Sequence, residues 1–137
     1  MANAEPSKTR QTILVVDDSS INVDVLVEIL KDRYAVRVAT NGAEALEAVL
    51  KKPRPDLILL DVMMPGMDGY ETCRRLKSKA LTADIPVIFL TSKNTPEDAQ
   101  LGFDVGGVDY ITKPILPVVV LARVKAHLAV MRERSRR

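Results

Sequence analysis

One pattern recurs five times along the 137 residues: a short apolar run, a turn rich in Asp, Asn or Gly, and a stretch with helical spacing. The runs are residues 13–16, 34–39, 57–60, 87–90 and 108–112. A chain that alternates strands and helices in this way is confined to a parallel sheet with helices on both faces, because each right-handed crossover must pack back onto the sheet. The first, third and fourth runs are continuously apolar, as strands covered on both faces are. The second alternates, with Tyr34, Val36 and Val38 opposite Ala35, Arg37 and Ala39, which suits an edge strand.

Start signals mark the helices between the runs. Ser19 or Ser20 caps a first helix carrying Ile21, Val25, Leu26, Ile29 and Leu30. Asn41, with Glu44 three positions on, caps a second. A third spans roughly residues 70–79, and Thr95 followed by Pro96, Glu97 and Asp98 caps a fourth. A fifth begins near Pro117 and runs into a basic end.

A chain of 137 residues is one domain's worth and buries roughly two-thirds of the surface its unfolded form exposes. A hydrophobic fraction of 47% and a charged fraction of 28% are those of an ordinary globular protein. Residues 1–11 read as a disordered tail, 12–130 as the domain and 131–137 as a basic helix end or linker. That last segment sets four arginines (Arg132, Arg134, Arg136, Arg137) against Glu133, a net of +3, so the rest of the +2 chain sums to −1. No basic stripe continues onto the body, so a solvated helix end is expected rather than a contact with nucleic acid or membrane. No apolar run approaches the roughly 20 residues of a membrane span. The first twelve residues lack the apolar core of a secretion signal, and the expected location is cytoplasmic. The lone Cys73 agrees with a reducing compartment and reads as a small buried residue of a helix.

Folds of this kind place their chemistry at the carboxyl ends of the strands, near the point where strand order reverses. Those ends carry Asp17 and Asp18, Asp61, Thr91, and Lys113 before Pro114. Singly, each has an ordinary explanation as a cap, a turn starter or an exposed side chain. If strands one, three, four and five are contiguous, all five side chains converge. Three close carboxylates repel one another and call for a cation. Hard oxygen ligands select Mg²⁺ over zinc. A Lys ammonium and a Thr hydroxyl beside them suit a phosphoryl group. The set reads as an aspartate nucleophile prepared for phosphoryl transfer.

With these residues in place, the sequence resembles the receiver domain of two-component response regulators. The matching pieces are ILVVDD (13–18), LILLDVMMPGMDG (57–69), IPVIFLTS (85–92) and GGVDYITKP (106–114). The resemblance implies a flavodoxin-like, doubly wound α/β fold with a five-stranded parallel sheet in the order 2-1-3-4-5 and five helices, an order for which this family is itself a standard example. It further implies that Asp61 accepts a phosphoryl group from a phosphohistidine on a sensor histidine kinase or phosphotransfer protein. Asp18, Asp61 and the backbone carbonyl of Met63 would ligate Mg²⁺, with Asp17 acting through water. Lys113 and Thr91 would contact the phosphoryl oxygens, and Tyr110 would be the switch aromatic that turns inward as Thr91 moves. The Lys113–Pro114 peptide is expected to be cis. The readout face would be helix four, strand five and helix five, acting on an output domain, a partner protein or a phosphorylation-dependent dimer. Ile115 after Pro114, and the ending PVVVLARVKAHLAVMRERSRR, resemble receivers that precede cyclic-di-GMP enzymes of the GGDEF or HD-GYP type. On that reading the chain is either a stand-alone receiver or the amino-terminal piece of a longer protein.

Two other readings differ in class. A phosphohydrolase of the haloacid-dehalogenase type needs its nucleophile at the end of the first strand with a second Asp two residues on, where this chain has Ser19. A phosphorylation-independent interaction module would leave the site unused. The receiver itself is read as no enzyme beyond assisting its own phosphorylation and dephosphorylation. His127 reads as a solvated or dipole-stabilised imidazole near a helix end, and Met63, Met64 and Met67 as loop and core packing. The Met63 side chain is expected to lie beside the site and to tune water access.

Overall fold

A computed structural model describes residues 10–93 and 95–135. Five parallel strands, β1 (Thr12–Val16), β2 (Ala35–Ala39), β3 (Leu57–Asp61), β4 (Val87–Thr91) and β5 (Asp109–Thr112), pair in the order β2-β1-β3-β4-β5. The helices are α1 (Ser20–Leu30), α2 (Gly42–Ala48), α3 (Gly69–Lys77), α4 (Pro96–Asp104) and α5 (Pro117–Ser135). Fold class, strand order and helix number agree with expectation. So does the edge position of the alternating strand β2. The order reverses between β1 and β3, which puts the switch point of the sheet where the first and third runs end.

Period-two alternation divides the buried side chains into two cores. Ile13, Val15, Leu57, Leu59, Ile88, Leu90 and Ile111 meet Leu26 and Leu30 of α1 and Val120, Val124 and Leu128 of α5. On the other face Leu14, Val16, Ile58, Leu60, Val87 and Phe89 meet Ala45 of α2 and Cys73 and Leu76 of α3. Every residue from Leu57 to Leu60 is fully buried. Each such side chain contributes about 1.5–3 kcal/mol of apolar burial, which makes β3 a stiff central rod.

The expected caps are present. The Ser19, Asn41 and Thr95 side chains accept from the amides of Asn22 (3.3 Å), Glu44 (2.8 Å) and Asp98 (3.1 Å). Asp68 caps α3 in the same way, accepting from Glu71 N at 2.8 Å. Glu44 Oε1 in turn accepts from Thr40 N (2.6 Å), one residue before the cap, which adds a second tie at the start of α2.

The expected tail of residues 1–11 falls, for residues 1–9, outside the described residues. Arg10 and Gln11, grouped with it by sequence, are tied to the body: Arg10 donates to the carbonyls of Lys31 (3.1 Å) and Asp32 (3.0 Å), and Gln11 O accepts from Ala35 N (3.0 Å). At the other end α5 continues to Ser135, with Arg136 and Arg137 outside the described residues. Among the described residues no helix is long and apolar enough to cross a membrane.

Cys73 is fully buried, and that burial pushes its thiol up to about 11, so it stays protonated and unreactive at neutral pH. His127 differs from its expected role. Its Nε2 lies 3.0 Å from Asp109 Oδ2, and Arg123 Nη1 reaches both oxygens of the same carboxylate at 3.0 and 3.1 Å. Asp109 thereby clasps α5 to β5. Burial opposes ionisation of Asp109, but hydrogen bonds from His127, the Tyr110 amide and Arg123 outweigh it and hold the carboxyl below its ordinary value. A depressed carboxylate contributes stability that is present above the unfolded value and lost as the pH falls through the folded one. Asp109→Asn should therefore be less stable than the parent at pH 7, by about 1 kcal/mol. The gap should close below about pH 4. Urea midpoints for the two proteins across pH 3–7 check this.

Candidate functional site

The strands deliver the candidate side chains to one end of the sheet because they are parallel and in register. Val16 pairs with Leu60, Asp61 with Leu90, and Thr91 with Thr112. The residues that follow β1 and β5, and the last residues of β3 and β4, therefore emerge together. Asp61 and Thr91 lie inside their strands, one position beyond the apolar runs.

Asp17, Asp18 and Asp61 each place a carboxylate oxygen within 4.8 Å of the others. Asp17 and Asp61 are buried, at 1% and 2% exposure, while Asp18 faces solvent. The side chain of Lys113 reaches in from the end of β5, with Nζ 2.9 Å from Asp61 Oδ1. Thr91 is buried, and its Oγ1 accepts from Lys93 N at 2.8 Å. The Lys113–Pro114 peptide is cis, as expected.

Burial pushes the Asp61 carboxyl above its ordinary value, against the hydrogen bond from Lys113, and the charges of Asp17 and Asp18 push it the same way. One positive charge thus faces three carboxylates. Asp17 Oδ1 accepts from Ser19 N at 2.9 Å, but Asp17 Oδ2 is buried with no hydrogen-bond partner. An orphaned buried oxygen on one of three clustered carboxylates is what a divalent cation would satisfy. The donor set therefore fits a metal ion. Ser19, two positions after Asp17, spends its hydroxyl on the cap of α1, where a haloacid-dehalogenase site would need a second carboxylate.

Tyr110 is half-buried on β5, packed edge-on against Phe103 of α4 with ring centroids 6.1 Å apart. It shares a small cleft with Thr91, Phe89 and Tyr70, so the expected switch pair borders one space. Met64 is buried in the core, whereas Met63 is half exposed, which fits loop and core packing for both. Sequence reading missed the Asp109–Arg123–His127 cluster, whose members are 14 and 18 residues apart and meet only through the packing of α5 on β5.

This fold and this acidic strand-end site define a class, and comparison with known proteins names it. The chain matches the model of the response regulator receiver domain over residues 13–125 and belongs to that family. It is 46% identical over 117 residues to a probable cyclic di-GMP phosphodiesterase of Vibrio cholerae, covering 85% of this chain and 26% of that protein. It is 44% identical over 115 residues to the response regulator PleD of Caulobacter vibrioides, covering 83% of this chain and 25% of that one. The chain thus spans about a quarter of the length of these relatives. Among solved structures, a putative response regulator from Chloroflexus aurantiacus aligns with a TM-score of 0.83 at 37% identity, covering 88% of this chain and 99% of that one. The chain is a receiver domain of two-component signalling.

Proposed function

We propose that this receiver is a phosphorylation switch whose acceptor is Asp61. The observation that carries the reading is the Lys113–Asp61 contact of 2.9 Å inside a cluster of three carboxylates at the switch point of the sheet. An Asp61 carboxylate oxygen attacks the phosphorus of a phosphohistidine presented by a sensor kinase or phosphotransfer protein. The new O–P bond forms as the N–P bond breaks, and the imidazole leaves with the electron pair and takes up a proton. Such a transfer asks mainly for positioning and charge neutralisation. The rigid β3 supplies the first, and Lys113 lies where it can follow the phosphoryl oxygens. Mg²⁺, held by Asp18, Asp61 and the Met63 carbonyl with Asp17 behind them, would neutralise the incoming charge. Thr91 donates its hydroxyl to the phosphoryl group, exchanging the Lys93 amide contact for it, and Tyr110 moves into the space they share.

The switch must then be read elsewhere. A change from 1:99 to 99:1 between two arrangements needs about 5.5 kcal/mol of differential stabilisation, which a few charge-assisted hydrogen bonds supply. We place the readout on α4, β5 and α5, which carry Tyr110 and the Asp109 clasp, acting on an output domain, a partner or a second receiver. A cyclic-di-GMP enzyme is the output that the 46% identical relative supports. Intact-mass measurement with a phosphoramidate donor tests the core of the reading. One phosphoryl group per chain is expected with Mg²⁺ and none with EDTA, and a chain that stays unmodified under both conditions refutes it.

A further inference from the structure

A second cluster of charge lies at the opposite end of the sheet, where the strands begin. Arg33 and Tyr34 form the turn between α1 and β2, and Gln11 precedes β1. Across from them, Lys125, Leu128, Ala129 and Arg132 line one face of α5 at helical spacing. Together these residues enclose a surface cleft, and among the described residues no carboxylate lines it.

How these cations are partnered sets them apart. Arg10, Arg37 and Arg54 donate to backbone carbonyls. Arg74, Arg75 and Arg123 pair with carboxylates. Of the arginines whose side chains are described, Arg33 alone has no side-chain hydrogen bond or ion pair, and the Arg132 side chain has only the neutral amide oxygen of Gln11 at 3.2 Å. Lys125 is likewise unpaired. Two guanidinium forks and an ammonium thus face one space with nearly all their donors unspent. A guanidinium matches phosphate in two parallel hydrogen bonds, and an ammonium adds a point charge. Half-buried Tyr34, with Leu128 and Ala129, gives the cleft an apolar wall beside the cations. Base stacking on an aromatic ring next to such forks is a general mode of nucleotide capture.

We propose that the cleft bounded by Arg33, Tyr34, Lys125 and Arg132 binds a phosphate-bearing nucleotide. The forks and Lys125 take the phosphates, and Tyr34 takes the base. The site stands apart from Asp61 and does not depend on its phosphorylation. Because α5 forms one wall, an occupant would bridge α5 to the start of β2.

Amide chemical-shift titration of the intact chain with ADP, inorganic pyrophosphate and citrate tests this. EDTA throughout keeps metal–nucleotide complexes off the carboxylate cluster. Saturable shifts centred on Gln11, Tyr34 and Ala129 are expected with ADP, at a Kd of about 1 mM or below. Pyrophosphate should shift the same amides more weakly. Arg33→Glu with Lys125→Glu should weaken ADP binding about tenfold or more, whereas Lys51→Glu with Lys52→Glu, an equal charge change elsewhere on the surface, should leave it within about twofold. Arg33→Gln, which removes the fork without reversing charge, should weaken it as well and guards against misfolding of the double variant. No shifts at about 10 mM ADP, equal losses in both double variants, or citrate binding as well as ADP would each overturn the proposal.

Discussion

Asp61→Asn is expected to abolish phosphoryl incorporation and, in metal-free buffer, to make the protein more stable rather than less. The first half follows from chemistry, since a carboxamide oxygen is no nucleophile toward phosphorus at neutral pH. The second follows from geometry. Asp61 is buried and shares a space of 4.8 Å with two other carboxylates against one ammonium. Its raised carboxyl means that the ionised form is the costly one in the folded state. The stability tied to this group is full below the ordinary carboxylate value and is lost as the pH rises through the raised one. Asparagine removes that charge and keeps an oxygen to accept from Lys113 Nζ, which is a quarter exposed and can turn to water. A gain of about 1 kcal/mol is expected, read as a higher urea midpoint at unchanged slope. Added Mg²⁺ should stabilise the parent by RT ln(1 + [Mg²⁺]/Kd), raising its midpoint, and move the variant far less, reversing their order. Equal midpoints without metal, and equal responses to it, would mean that the carboxylates are not in electrostatic conflict. Function here is thus expected to cost folding stability, as strained or charged sites often do.

How much of this was legible in the sequence depends on how local each cause is. Runs such as Leu57, Ile58, Leu59 and Leu60 announce a strand because four apolar residues in a row have only a doubly covered sheet in which to hide. Convergence of Asp17, Asp18, Asp61 and Lys113 follows from parallel topology once the order is known, and the resemblance supplied that order. Asp61 and Thr91 were legible as the ends of the third and fourth strands, but what fixes them there is not their own polarity. The ladder holds them instead, with Val62 N donating to Leu90 O at 3.0 Å and Lys113 N to Thr91 O at 2.8 Å. His127 was misread for the same kind of reason. Its partner Asp109 is distant in the chain, and a helix end seen alone offers only solvent and the dipole. The orphaned Asp17 Oδ2 is likewise a property of three elements meeting, invisible in the paired aspartates themselves.

Gly69→Ala is expected to be the most damaging single-methyl change near the site. A Cβ built on Gly69 would stand 2.3 Å from the carbonyl oxygen of Asp61, 2.8 Å from Val62 Cα and 3.0 Å from the Asp61 carbonyl carbon. All three are backbone atoms of the stiff strand end, so no side chain can swing aside. The first turn of α3 must retreat, stretching the Gly69 N to Val62 O hydrogen bond of 2.9 Å that fastens it to the strand. A loss of about 2–4 kcal/mol is expected, typical of overpacking against backbone. Gly66→Ala in the same turn is the informative contrast. Gly66 has φ +75° and open space around its Cβ, so alanine there costs only the left-handed strain of about 1–2 kcal/mol. The two differ in where the cost falls. Gly66→Ala should lower the urea midpoint and leave Mg²⁺ binding alone, while Gly69→Ala should lower both, because the displaced carbonyl belongs to the residue that carries the site. If Gly69→Ala proved no worse than Gly66→Ala and bound Mg²⁺ like the parent, the close approach of α3 would not be what holds Asp61 in place. The MPGMDG turn would then serve only to reverse the chain.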